Sequence, residues 1–591
     1  MNPAAKVLRR IERVLDVEAF GGLRHELHQA HRSLATDRFR VVAGLDNNQG
    51  VDQFGVDAVF RTDLVDHLPQ FSAVRQRGRA LPRRGGTVGA GLRRHQHDAE
   101  TADKRYESTH ATIMTAEAQK EPFLSAGPPK IEHLQRCIDL MTRSGAPAPA
   151  VASFTFHFNR VAGGEREYLS EDDIEPIEFL PDSEQFGAFR NVGEKALHRV
   201  AVIKLNGGLG TGMGLKTAKS LLQVRDGLTF LDLITRQILA VRSGSGAKIP
   251  LILMNSSHTA DASQSVLSRY PDLALPDLPG SFLQNRIPKI LASDMSPAGN
   301  PGEDQAWCPP GHGDLYTAIA GSGLLAELLS RGFEYAFVSN ADNLGAVLDP
   351  DILGFMTENG YDFVMEAADR SAADRKGGHL CRLTDDRLAL RESAQCRPAD
   401  EEVFQNVARH RFFNTNNLWL RLPALASALE TSGGFLPLDT IVNRKLLDPR
   451  DPSSQPVLQL ETAMGAAISH FEKAAAIRVP RRRFSPVKNT DDLLAVRSDA
   501  YRLTDDWLVV LDPKREVPPV IDLDHQFFKM IDDFERRFPA GPPSLQDCDS
   551  LRVEGDITFG RGVAIEGETA LRTDRPHRVP DGTRLRGTVG F

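Results

Sequence analysis

The densest chemistry in this sequence runs from Leu205 to Lys219: Leu-Asn-Gly-Gly-Leu-Gly-Thr-Gly-Met-Gly-Leu-Lys-Thr-Ala-Lys. Glycines at 207, 208, 210, 212 and 214 leave backbone N–H groups uncovered and let a ligand come close. A row of such groups makes a nest for an anion, and a following helix N-terminus adds a favourable dipole. The pattern predicts that helix from about Thr217, with Lys219 inside it and able to reach a phosphate as a point charge. The run is neither a Walker A sequence nor a dinucleotide fingerprint, because Ala218 stands where Walker A requires a glycine before its lysine. Read blandly, it is a glycine-rich turn. Asp342 is a second candidate, three residues after the apolar run Tyr335–Ser339.

The elements that must hold these groups follow from periodicity. Val200–Leu205, Ile249–Met254, Tyr335–Ser339 and Tyr361–Glu366 are short apolar runs suited to buried strands. Helical spacing lies between them, as from Leu315 to Leu329. Strands alternating with helices imply a mainly parallel α/β sheet, whose ligands bind beyond the carboxyl ends of the strands. The glycine loop and Asp342 both fall at such ends and so face one cleft. Upstream, Ile131 to Arg143 and Ala150 to Asn159 read as helices, and Ser170–Pro176 as an acidic loop or helix start. Downstream, Leu551, Val553, Ile557, Phe559, Val563 and Ile565 alternate with polar residues and glycines. That pattern fits a small β-helix or a β-meander.

The chain has 591 residues, 41% hydrophobic and 25% charged, with a formal net charge of −8. This is the composition of a globular protein of about three or four domains. Five cysteines without zinc spacing argue for a reducing compartment. No run approaches ~18 apolar residues, which excludes a membrane span, and Met1 to Val17 lacks a secretory pattern. The acidic balance argues against a general nucleic-acid binder. Residues 1–110 differ, with 16 Arg and 2 Lys against 14 acidic residues, and 7 of the 17 histidines. They read as a poorly ordered basic extension, a nucleic-acid arm, or a mis-assigned start ahead of Met114; the third reading is favoured.

The loop Leu205–Gly214 resembles that of eukaryotic-type UTP–glucose-1-phosphate uridylyltransferases, the UDP-glucose pyrophosphorylases. Further segments carry the same resemblance from about Met114 onward. They are Leu228–Asp232, Trp307–Asp314, Val338–Gly345, Lys376–Gly378, Phe413–Trp419, Leu458–Gly465 and Arg483–Lys488. The family implies a nucleotidyltransferase-type, Rossmann-like α/β mixed sheet with a C-terminal left-handed β-helix. The expected divisions are 1–113 (basic extension), 114–199 (mainly helical), 200–496 (catalytic) and 497–591 (β-helix). The implied reaction joins UTP and glucose 1-phosphate to give UDP-glucose and pyrophosphate, with magnesium. Such a transfer needs positioning and charge neutralisation more than a protein nucleophile.

The resemblance carries roles residue by residue. Asp342 matches the magnesium-binding aspartate, a hard carboxylate suited to that ion; otherwise it is a strand-end cap. Lys219 matches the triphosphate-binding lysine. Lys488 matches a second cation on the transferring or leaving phosphate, and rests almost wholly on the resemblance. Gln284 matches the residue that reads uracil through its amide. Leu205, Asn206, Gly207, Gly208 and Gly311 match the rest of the base pocket. His312 can donate to a phosphate or sugar oxygen, and Asn340 matches a nucleotide-sugar contact. Gly377, Gly378 and Asn416 match the sugar side.

Two departures stand out. Thr217-Ala218 replaces the family's frequent Gly-Pro before the lysine, and Arg370-Ser371 replaces a frequent Lys-Thr ahead of Lys-Gly-Gly, which puts one peripheral contact in doubt. The expected partners are small-molecule substrates, with no nucleic acid or membrane, a cytoplasmic location, and a homo-oligomer through the C-terminal domain. The competing readings are a pyrophosphorylase of N-acetylhexosamine 1-phosphate and a catalytically idle nucleotide-binding protein. The Asn206 loop and Phe413–Asn417 favour glucose. Joint retention of Lys219, Asp342 and Lys488 argues against an idle protein.

Overall fold

A computed structural model describes residues 129–164, 168–300, 302–371 and 374–591. Contacts divide the chain into a unit of residues 1–120 and a unit of residues 121–591. The first unit, and with it the readings made of residues 1–113, lies outside the described residues.

Ten strands form one large sheet. In chain order they are β1 (Ile174–Pro176), β2 (Val200–Asn206), β3 (Leu251–Asn255), β4 (Ser281–Leu283) and β5 (Tyr335–Asn340). The other five are β6 (Phe363–Asp369), β7 (His379–Leu383), β8 (Leu388–Arg391), β9 (Phe412–Arg421) and β10 (Ala474–Arg478). The sheet path runs β1-β7-β9-β5-β2-β3-β4, with β6 pairing β9 and β10, and β8 pairing β7. Strands β5, β2, β3 and β4 are mutually parallel. Strand β9 is antiparallel to both β5 and β6. The sheet is therefore mixed, where alternation alone implied a mainly parallel one.

Alternate side chains of each central strand enter opposite cores, as the period of two requires. Val202, Leu253, Phe337 and Trp419 face one core, and Ile203, Ile252, Val338 and Leu418 the other. Helix α1 (Pro129–Arg143) and helix α2 (Ala148–Ala162) pack a third cluster against Ile287, Trp307 and Leu460. The predicted helix over 315–329 is two short helices, α4 (Leu315–Gly321) and α5 (Leu324–Ser330), separated at Gly323 with φ +78°.

The helix expected from Thr217 is absent. Lys219 lies in a single 3₁₀ turn, Lys219–Leu221, followed by a hairpin of Gln223–Arg225 with Leu228–Thr229. The α-helix starts only at Phe230 and is called α3 (Phe230–Ser245). Its start is fixed by a capping box in which Thr229 and Asp232 exchange hydrogen bonds. The true N-terminal signal is therefore Thr229–Asp232, and the helix dipole expected at Lys219 does not act there.

The C-terminal strands are β11 (Val520–Leu523), β12 (Ser544–Glu554), β13 (Ile557–Phe559), β14 (Ala564–Arg572), β15 (His577–Val579) and β16 (Arg584–Gly590). They stack in parallel: Ser544 pairs Ala564, Ala564 pairs Arg584, and Ile557 pairs His577. A meander would pair them antiparallel. Leu551, Val553, Ile557, Phe559, Val563 and Ile565 fill the coil interior and join the same core as one face of the large sheet. Among the described residues no helix is long and apolar enough to cross a membrane.

Candidate active site

Parallel register brings the site together. Asn340 pairs Leu205, Asn206 pairs Asn255, and Asn255 pairs Leu283, so four strands end on one edge. The glycine loop, Ser256, Gln284 and Asp342 each follow one of those ends. The side chain of Asn206 does not enter the cleft. It is buried, and its Nδ2 donates to Asn255 Oδ1 and Ser263 Oγ, both at 2.7 Å. Asn206 thus clamps two strand ends and leaves its backbone to the loop. Ser256 Oγ donates to the Gly207 carbonyl at 3.0 Å, and Gln284 N to the Asn255 carbonyl at 2.8 Å.

The glycines have distinct reasons to be glycine. A Cβ on Gly207 would meet Gln284 Oε1 at 2.6 Å, so the amide lies directly against the loop. Gly210 has φ +63°, and its missing Cβ makes room for Leu215 and the Lys219 stem. Gly208 faces open space, while its carbonyl accepts from Lys219 N at 3.0 Å. A cleft of about 690 Å³ opens beside Gln284, lined also by Ser256, Arg286, Trp307 and Pro309.

Lys219 Nζ lies 2.8 Å from Asp342 Oδ2, both partly exposed at 16% and 23%. The third charged candidate is carried to the same place by backbone pairing. Asn343 bridges Pro486, and Val487 N donates to the Asp342 carbonyl at 3.2 Å. Lys488 is exposed, with its N–H held at 2.7 Å by Asp492 Oδ2 and its ammonium 5.7 Å from the Phe484 ring. Burial raises the Asp492 carboxyl pKa, and the nearby Lys488 and Lys219 charges restrain the rise. Among the described residues no group of three or more His, Cys, Asp or Glu is placed to hold a metal. A single carboxylate such as Asp342 is compatible with magnesium, which takes one or two carboxylates and completes its shell with water and phosphate oxygens.

His312 Nδ1 accepts from Met464 N at 3.0 Å, which assigns the ring proton to Nε2. Desolvation pulls its pKa down to about 4. The residue keeps an exposed face, where water tempers the size of that shift. The direction and the amide contact agree on a neutral ring with Nε2–H as a donor. Gly311 has φ +81°, and a Cβ there would meet the Thr462 carbonyl at 2.5 Å. The next residue after Met464, Gly465, lies against Asn414 Nδ2, and Asn414 exchanges hydrogen bonds with Asn416 at 2.9 and 2.8 Å. Asn416 has φ +58°, at a bulge where the β6–β9 register shifts. The bulge takes Asn416 out of the strand alternation. Gly378 abuts the Glu392 carboxyl group, whose pKa burial raises, while Gly377 is exposed.

Three residues escaped the sequence reading. Asp314 accepts from Asn285 N at 2.6 Å and Nδ2 at 2.8 Å, fixing the residue next to Gln284; burial raises its pKa to about 7. It closes the Gly-His-Gly-Asp run, which was a visible signal. Asn343, beside Asp342, accepts from Gly345 N and Ser485 N at 3.2 and 3.1 Å and donates to the Arg483 carbonyl at 3.0 Å. Glu392 had no local signal, since only the fold sets it against Gly378.

A glycine-rich loop with a glutamine amide against it, and a lysine–aspartate pair, all beyond parallel strand ends, have the arrangement of a nucleotide-binding site in an α/β protein. The family model for UTP–glucose-1-phosphate uridylyltransferase matches residues 151–566. The uridylyltransferase of Solanum tuberosum is 41% identical over 396 residues, covering 66% of this chain and 80% of that one. That of Hordeum vulgare is 39% identical over 450 residues, covering 73% and 91%. A UDP-glucose pyrophosphorylase mutant of Leishmania major, solved in complex with UDP-glucose, superposes with TM-score 0.72 and 41% identity, covering 78% of this chain and 99% of that one. The Trypanosoma brucei enzyme gives 0.71 and 41%, covering 78% and 100%. This chain belongs to the UTP–glucose-1-phosphate uridylyltransferase family of nucleotidyltransferases.

Proposed function

We propose that this chain transfers uridylyl from UTP to glucose 1-phosphate by direct in-line attack, releasing pyrophosphate. The observation that carries the reading is the Lys219–Asp342 pair beside the glycine loop. In this reading the backbone of Leu205–Gly208, with Gly311, shapes the base pocket, and Gln284 reads uracil. Lys219 and Lys488 neutralise the phosphates, and Lys488 stabilises the charge that develops on transfer. His312 donates from Nε2 to a phosphate or sugar oxygen, so it acts as a neutral donor and not as a base. Asn340, Gly377, Gly378 and Asn416 hold the hexose, with Glu392 beside them. Magnesium, held by Asp342, would offset charge on the attacking and leaving oxygens.

The same reading makes the described part of residues 114–199 a mainly helical segment, 200–496 the catalytic domain and 497–591 a β-helix, left-handed as the resemblance implies. That last domain would carry a homo-oligomer contact. The five cysteines are free, which supports a cytoplasmic site of action. The test is pyrophosphate release from each nucleoside triphosphate with a panel of sugar 1-phosphates. Preference for UTP and glucose 1-phosphate supports the reading. Faster turnover of N-acetylglucosamine 1-phosphate would reassign the substrate.

A further inference from the structure

Arg370, with Ser371, stands where the family resemblance has a frequent Lys-Thr, and it is buried, at 7% exposure. Its Nη1 donates to the carbonyls of Phe404 at 3.0 Å and His410 at 3.2 Å. Its Nη2 donates to those of Asp374 at 3.2 Å, Arg375 at 2.7 Å and Gly377 at 3.4 Å. The guanidinium also lies 5.6 Å from the Phe404 ring centre. One planar fork therefore ties the segment leading to Gly377 and Gly378 to the 404–410 turn. On the outer side Asp374 accepts from Ser371 N at 2.9 Å and Oγ at 2.7 Å, and from Arg481 Nη1 at 3.1 Å. Residues 375–377 are exposed, so polar ties rather than apolar packing order this segment.

We propose that Arg370 is a positioning residue for hexose binding: it fixes the Gly377–Gly378 backbone from behind and does not touch the sugar. The proposal rests on the reading of that glycine pair as the hexose side. A lysine carries its three donors at one compact point and cannot span two groups of carbonyls in one plane. Arginine therefore tightens the segment through its own carbonyls in a way lysine cannot.

The experiment compares full-length Arg370→Lys and Arg370→Gln with the unaltered chain, titrating UDP-glucose and UDP by calorimetry. UDP-glucose affinity should fall about tenfold, the equivalent of one positioned hydrogen bond. UDP affinity, which involves no hexose, should stay within about twofold. Lysine should restore part of what glutamine loses. The KM for glucose 1-phosphate should rise with that for UTP unmoved, a split that mere destabilisation does not produce. If Arg370→Gln does not fold, Arg370→Lys decides alone, since it keeps the charge and the buried stem. Gly378→Ala separates the two readings, because its Cβ would collide with Glu392. If Gly378→Ala weakens UDP-glucose selectively and the Arg370 variants do not, the proposal is overturned and the hexose reading stands. If Gly378→Ala leaves the UDP-glucose to UDP ratio unchanged, the hexose reading fails and takes the proposal with it.

Discussion

The ion pair at 2.8 Å between Lys219 and Asp342 joins two groups that are only partly exposed. Solvent still screens such a pair, so losing it should cost on the order of 1 kcal/mol of stability. The electrostatic role at the reacting phosphate is worth far more. Asp342→Ala and Lys488→Ala should each lower kcat by about 10²–10³ with the fold intact. Steady-state kinetics beside circular dichroism checks this; a folded Asp342→Ala with near-normal magnesium-dependent turnover would remove it from the metal site. Gln284 sits where no charge changes. Gln284→Ala should chiefly erode the preference for UTP over CTP, read as the ratio of their kcat/KM values, and move kcat less. An unchanged ratio would place base recognition elsewhere.

Elements are held at the site by polar contacts behind it. Glu366 on β6 is fully buried and receives Arg483 Nη2 at 2.6 Å and Nε at 2.8 Å, Trp419 Nε1 at 2.9 Å and Asn417 Nδ2 at 2.9 Å. The pair ties the start of the Lys488 segment to β6, and the Trp419 and Asn417 bonds extend the tie to β9, the strand that carries Asn416. Lys204, buried on β2, donates to Ser339 Oγ at 2.6 Å and to the Ala346 carbonyl at 2.7 Å, pinning the loop that follows Asp342. Glu366→Ala would leave buried Arg483 only the longer carboxylate contact to Asp349 at 3.4 Å and should cost about 3 kcal/mol. Thr229→Ala, which removes only the cap of α3, should cost about 1 kcal/mol. Urea unfolding of both variants checks the ranking, and equal losses would mean that the buried pair does not organise the sheet. These contacts also mark the limit of sequence reading. Strands β2, β3, β5 and β6 were legible because their apolar runs are local, whereas β4, only Ser281–Leu283, was not read as a strand. The start of α3 was misplaced because glycine-rich sequence before Thr229 resembles the approach to a helix, whereas the capping box lies later. Strand β9 was not read as a strand because Asn414-Thr-Asn-Asn417 breaks alternation, and its bulge at Asn416 exists only against β6. Nothing local in Glu366 or Arg483 announces the other.

At the scale of the molecule, one core runs from the large sheet into the parallel coils of the C-terminal strands, so these two parts should respond to acid as one body. Its weak point on acidification is buried neutral histidine. His157 is held down to about 4, mainly by burial and then by the Arg160 charge. His379 is held down to about 2, by burial first and then by the charges of His410 and Arg370. A histidine whose folded pKa lies below its unfolded value of 6.5 binds its proton only on unfolding. Its contribution to stability is complete above pH 6.5 and is lost as pH falls through 6.5 towards the folded pKa. At pH 5 each group should therefore have lost about 2 kcal/mol. Part of the loss can be assigned with one variant. His379 stacks on His410 at 3.8 Å and lies 4.9 Å from Phe404, so His379→Phe keeps an aromatic ring and removes the titration. Thermal melting at pH 7 and pH 5 should show a fall in Tm for the unaltered chain and a clearly smaller fall for the variant. Equal falls would show that His379 does not carry the acid sensitivity.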